Sequence, residues 1–173
     1  ADVELSILGD TSGPFLVELD EDQTAQINLS GYPVGEDVTV CWNQDDMSVT
    51  GLYLYGTVGD YQADGYSYNP VTTTHGDNNF DVASPMFGYS NCFVVTAVDD
   101  SVMLRLKAIY QEGVVIVIPS VSAALPTQGI LIESLGRAGT TEKLITVIIT
   151  DPVLPSMFDY AILQKDPSQP LSN

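Results

Sequence analysis

Two cysteines, one histidine and a large excess of carboxylates are the residues of this 173-residue chain that could do chemistry. Cys41 stands in Val38-Thr39-Val40-Cys41-Trp42 and Cys92 in Asn91-Cys92-Phe93-Val94-Val95. Their β-branched and aromatic neighbours put both on strand-like segments. An even count on two such segments predicts a Cys41–Cys92 disulfide, which closes a loop of about 50 residues and stabilises the fold by roughly 4 kcal/mol in chain-entropy terms. A bridge of this kind implies an oxidising compartment, so the expected location is extracellular or at the cell surface. The alternative for the pair is two buried thiols. Trp42, next to Cys41, has the place of the aromatic that covers an inter-sheet disulfide.

Enzyme chemistry finds little to work with. His75 lies in the loop-like stretch Thr73-Thr74-His75-Gly76-Asp77, and there is no Gly-x-Ser-x-Gly, His-Glu-x-x-His, Cys-x-x-Cys or Gly-rich phosphate loop. Two suitably separated carboxylates could serve a glycosidase, but the chain has no long cleft-forming segment, and it is expected to be non-enzymatic. Calcium is the one cofactor the acidic turns suggest. Asp60-Tyr61-Gln62-Ala63-Asp64-Gly65 has oxygen ligands at positions one, three and five and Gly at six, yet Val71 stands where an EF-hand needs its bidentate Glu. Asp77-Asn78-Asn79-Phe80-Asp81 repeats the one-three-five spacing without the glycine. Asp60, Asp64, Asp77, Asn79 and Asp81 are therefore the candidate Ca2+ ligands, against the reading that they populate ordinary solvated turns. Tyr53 and Tyr55 share a face at period two, and Tyr61, Tyr66 and Tyr68 follow; together they could form a platform for a sugar or a protein partner, or pack in the core.

Charge narrows the partners. The chain has 23 Asp or Glu against 5 Lys or Arg, a formal net charge of −18, and residues 1–104 hold 17 of the acids and none of the bases. A phosphate-binding surface needs clustered cations, and Arg105 with Lys107 is the closest approach to one, so nucleic-acid binding is excluded. Anionic lipid would be repelled, and the longest aliphatic run, Val114–Ile118, falls far short of the roughly 20 residues of a spanning helix. The start at Ala1-Asp2-Val3 is what signal-peptidase cleavage, or another trimming of the chain, leaves, so a longer precursor is expected. Asn28-Leu29-Ser30 is read as a coincidental glycosylation sequon.

The elements that must position these residues read as all-β. Apolar or alternating stretches recur about every ten residues between Gly, Pro, Asn and Asp. The predicted strands are Val3–Leu8, Phe15–Leu19, Ala25–Leu29, Asp37–Trp42, Val49–Thr57, Tyr66–Tyr68, Cys92–Ala97, Val102–Tyr110, Val114–Ile118, Gly129–Leu135, Lys143–Thr150 and Asp159–Leu163. Val102–Tyr110 and Val114–Ile118 are expected to form one hairpin about Gln111-Glu112-Gly113, and Gly129–Leu135 and Lys143–Thr150 another about Gly136-Arg137-Ala138-Gly139. Residues 59–90, rich in Gly, Asp, Asn, Tyr and Thr, are expected to be a long connection with one or two short strands. The predicted architecture is an antiparallel two-sheet β-sandwich of roughly ten to twelve short strands with one inter-strand disulfide, a single domain over residues 1–164 and a loose tail over 165–173.

The final third carries a resemblance. Ile132, Ser134 and Gly136 stand in an I-x-S-x-G strand, and Phe158, Tyr160 and Ala161 in a Pro-bounded F-x-Y-A closing strand. Together with Leu104–Tyr110 and Tyr66-Ser67-Tyr68-Asn69-Pro70, these resemble the globular part of bacterial type IV pilin-like proteins of the PilX type. The resemblance implies a secreted structural subunit of a type IV pilus or related surface filament. It departs from the family in showing no hydrophobic N-terminal helix, which is expected either to have been removed from this chain or to be supplied by a separate one, so the partners it implies are other copies of the chain or a separate helical pilin chain, with membrane contact only through such a helix. Subunits this acidic repel one another, so their contact is expected to lie in the near-neutral C-terminal part. The competing reading is a secreted adhesin-like or carbohydrate-binding domain that uses the 59–90 segment.

Overall fold

A computed structural model describes residues 2–8, 13–21, 23–72, 75–76, 78–138, 141–150 and 153. Among them the period-two patterning forms thirteen strands and no helix. In chain order these are β1 (Asp2–Leu8), β2 (Phe15–Leu19), β3 (Thr24–Asn28), β4 (Asp37–Trp42), β5 (Ser48–Thr57), β6 (Asp60–Asn69), β7 (Asp81–Val82), β8 (Ser84–Met86), β9 (Tyr89–Thr96), β10 (Ser101–Ile109), β11 (Gly113–Pro119), β12 (Gly129–Ala138) and β13 (Thr141–Thr150). One five-stranded sheet has the order β3-β10-β5-β6-β7 and a second the order β2-β11-β4-β9-β8. All pairings are antiparallel except the short β6–β7 contact. The expected sandwich is therefore present, joined by a third sheet of order β1-β12-β13.

The two five-stranded sheets enclose the core. Val38, Val40 and Trp42 of β4, Phe93 and Val95 of β9, Leu104, Leu106 and Ala108 of β10, and Val115 and Val117 of β11 alternate inward and are all buried. Each large apolar side chain so covered contributes about 1.5–3 kcal/mol. Phe93 ties the layers together: it meets Trp42 edge-on at 6.2 Å and stacks with Tyr68 at 4.7 Å and Tyr66 at 5.8 Å. The indole Nε1 of Trp42 donates to the Met47 carbonyl at 2.7 Å, so the one polar atom of this buried ring is satisfied.

Pairing departs from the sequence expectation in three places. β10 and β11 are not a hairpin: β10 lies between β3 and β5, whereas β11 lies between β2 and β4 in the opposite sheet. The connection carries Tyr110 at φ 73° and leads the chain from one sheet to the other. Residues 59–90 are not mainly connection, because β6 runs ten residues against β5. Tyr66 and Tyr68 supply its buried face in place of aliphatics. The turn joining these strands is Val58-Gly59, and Gly56 at φ 103° precedes it where a Cβ would stand 2.4 Å from the Asp60 carbonyl oxygen. Lastly, the β12–β13 ladder extends through Gly136↔Lys143 to Ala138↔Thr141, so Gly136, Arg137 and Ala138 are strand rather than turn. The strand expected at Asp159–Leu163 and the tail 165–173 lie outside the described residues.

Candidate functional site

Cys41 and Cys92 face each other across the β4–β9 ladder and are bonded. Their bridge joins neighbouring strands of one sheet and is not inter-sheet. Consecutive strand residues point to opposite faces, so Trp42 turns into the core while the disulfide packs outside with Ile116, Met86, Tyr89, Val114 and Ile118. Trp42 therefore does not cover it. A disulfide is compatible with an extracellular location.

The tyrosines do not share one surface. Tyr53 is buried, and its hydroxyl meets Ser101 Oγ at 2.5 Å and accepts from the Val98 N–H at 2.9 Å, fixing the 98–101 turn. Tyr55 lies against Tyr53, with ring centroids 5.3 Å apart. Tyr66 and Tyr68 are committed to Phe93. Burial pushes the Tyr66 phenol pKa up, and the Asp64 carboxylate adds to the rise. Tyr61 alone of the five is well exposed, at 58%.

The calcium candidates do not converge either. Asp60 and Asp64 both lie on β6, and the extended backbone sets them roughly 13 Å apart along the strand. Asp81 is in β7, and Asn79 precedes it at φ 59°; Asp77 is outside the described residues. No three His, Cys, Asp or Glu residues cluster at metal-binding distance among the described residues. Buried amides organise this region instead. Asn69 Oδ1 accepts from Ser48 Oγ at 2.7 Å and from Asn78 Nδ2 at 3.0 Å, while Asn69 Nδ2 donates to Asn78 Oδ1 at 2.9 Å. Asn91 Oδ1 accepts the Val71 N–H at 2.8 Å. His75 stacks on Tyr110 at 4.0 Å with Nε2 3.0 Å from the Asp46 carbonyl.

A hydrogen-bonded cluster around the Glu36 carboxylate, missed in the sequence, closes one end of the sandwich. Glu36 accepts from both Ser120 Oγ and Ser122 Oγ, and these two hydrogen bonds, Ser120 first, hold its carboxyl below the usual carboxylate range. Tyr32, beside it, accepts the Ser120 N–H and donates to the Asp37 carbonyl, each at 2.9 Å. Burial is the main reason its phenol pKa is raised. This cluster ties the end of β11 to the start of β4.

The surface that stands apart is the third sheet. Its register aligns Val3–Ser134–Ile145, Leu5–Ile132–Val147 and Ile7–Ile130–Ile149, three alternate rows that contain no charged residue. Alternate rows share one face. On β13, Ile145 is 51% exposed, Val147 46% and Ile149 50%, and Leu144 on the other face is 58% exposed. The outer edge of β13 has no strand beside it among the described residues. An exposed, long and apolar edge strand is a template for pairing with another chain. Gln128 anchors the base of this sheet to the sandwich: its Oε1 accepts the Asn28 N–H at 2.8 Å, and its Nε2 donates to the Asn28 carbonyl at 2.9 Å. β12 and β13 belong to the near-neutral C-terminal part of the chain, whereas β1, which pairs with β12, comes from the acidic part.

Comparison with family models, with curated proteins and with solved structures gives no match in any of the three. A functional reading therefore rests on the geometry.

Proposed function

We propose that the protein is a non-enzymatic, secreted structural subunit of a cell-surface filament, a type IV pilus or a related appendage, and that it assembles through the β1-β12-β13 sheet against a second copy. One observation carries the reading: a ten-residue strand with no strand along its outer edge among the described residues and with Ile145, Val147 and Ile149 about half exposed. Charge selects the occupant. A chain of net −18 repels its own copies across most of its surface, whereas β13 holds Glu142 and Lys143 and no other charge. Self-contact is therefore least opposed there. Burial of Ile145, Val147 and Ile149 in such a contact would stabilise it at about 25 cal/mol per Å2 of apolar surface covered.

Negative-stain electron microscopy of material sheared from the producing cells, with mass spectrometry of the subunits, tests the reading. Filaments built of this chain are expected. Filaments in which it alternates with a separate helical polypeptide would replace the second copy with that partner. Its recovery solely as a soluble monomer would defeat the proposal.

A further inference from the structure

Each sheet of the sandwich ends in a five-residue strand, β2 in one and β3 in the other, and a groove of about 430 Å3 runs along the pair. Phe15, Val17 and Leu19 of β2 and Ala25 and Ile27 of β3 line it. The two strands are joined at one end by a tight turn, in which the Gln23 N–H donates to the Asp20 carbonyl at 3.0 Å and the Asp20 N–H donates to Gln23 Oε1 at 3.1 Å. Leu19 and Ile27 are fully buried, whereas Phe15, Val17 and Ala25 pack on the core and stay only partly buried. The described residues therefore cover the core incompletely along this side.

Gln128 shows what the β3 edge accepts. Its side-chain amide takes both the N–H and the carbonyl of Asn28, as the backbone of an added strand would. The Leu29 N–H, one residue on, turns the other way and donates to the Val102 carbonyl at 2.9 Å. Backbone groups alternate in this manner along an antiparallel strand, so Gln26 presents its N–H and carbonyl on the same outer side as Asn28. No strand lies beside β3 on that side among the described residues. The path of the chain names the occupant. Thr150 pairs with Gly129, next to Gln128, and Val153 itself lines the groove. Residues 154–173 follow, and within them Phe158-Asp159-Tyr160-Ala161-Ile162-Leu163 sets Phe158, Tyr160 and Ile162 on one face at period two. Because Val153 is already at the groove, Leu154-Pro155-Ser156-Met157 has only to turn the chain into it. Entry from the Asn28 end runs the segment antiparallel to β3.

We infer that the groove between β2 and β3 is the docking site of the chain's own segment 158–163, which adds to the edge of β3 at Gln26 and lays Phe158, Tyr160 and Ile162 over Phe15, Val17 and Ile27. The inference is independent of filament assembly. Amide hydrogen exchange of the isotopically labelled full chain tests it, on the wild type and on Tyr160→Asp with Ile162→Asp. The Gln26 amide is expected to be protected in the wild type at every protein concentration and to exchange at least about tenfold faster in the variant. The Ile27 amide, which faces β10, reports whether the variant keeps the sandwich. Nuclear Overhauser contacts from the Tyr160 or Ile162 side chain to Val17 or Ile27 are expected in the wild type, and their absence would overturn the assignment whatever the variant does. Rapid Gln26 exchange in the wild type, or equal exchange in a variant whose Ile27 amide stays protected, would overturn it too. Protection of Gln26 that disappears on dilution would give the groove to the segment of a second copy instead.

Discussion

Val115, Ile116 and Val117 of β11 and Ile145, Val147 and Ile149 of β13 are similar side chains on similar extended backbone, yet the first three keep 0% to 6% of their exposure and the last three 46% to 51%. β11 has a strand on each side and a second sheet across from it. Among the described residues β13 has one neighbouring strand, β12. Strand formation thus follows from local pattern, while burial depends on which partner the fold supplies. In the sandwich the partner is the same chain. At the third sheet the proposal assigns it to another copy.

The sharpest way to break that contrast is to remove a side chain from the closed region. Trp42→Ala should cost about 3–5 kcal/mol, because it empties a fully enclosed site and leaves the Met47 carbonyl without its indole donor. Denaturant unfolding measures this, and a loss below about 1 kcal/mol would show that the sandwich core is less committed than its burial implies. Removing the bridge comes next. Cys41→Ala with Cys92→Ala, which opens a link across a sequence separation of 51, should lower stability by about 2–4 kcal/mol. Retention of the full melting temperature after that change would contradict the assigned role.

The smallest effect concerns the closed end of the sandwich. Glu36 has an ordinary value of 4.5 and is held below it by the Ser120 and Ser122 hydroxyls. A carboxyl with a depressed folded pKa contributes stability above its unfolded value and loses it as pH falls through the folded one. The stability difference between the wild type and Glu36→Gln should therefore be constant near neutrality and shrink as pH falls below that value. Two pH profiles that stay parallel down to the acid limit would remove Glu36 from the account.

Much of this architecture was legible. The runs Asp37–Trp42, Phe15–Leu19 and Lys143–Thr150 announce strands by composition, and two cysteines flanked by β-branched residues announce their bridge. Pairing was less legible: the short Gln111-Glu112-Gly113 connection between β10 and β11 looks like a hairpin turn, and only the competition of β3, β5, β2 and β4 for those strands separates them. β6 was hidden because its inward residues are tyrosines amid Gly, Asp and Ser. The aliphatic face of the third sheet was visible as apolar alternation, but the half-exposure of Ile145, Val147 and Ile149 depends on how the sheet packs, which pattern cannot express.

β13 is the strand proposed to receive a second copy. Sedimentation velocity over a range of protein and salt concentrations, on the wild type and on Ile145→Lys with Val147→Lys, tests it most directly. Both residues are about half exposed, so the variant should lose no more than about 0.5 kcal/mol of monomer stability. The account predicts that the wild type associates increasingly as salt screens its charge, and that the double-lysine variant stays monomeric with a similar melting temperature. Equal association of the two proteins, or a wild type that stays monomeric at every salt concentration, would contradict it.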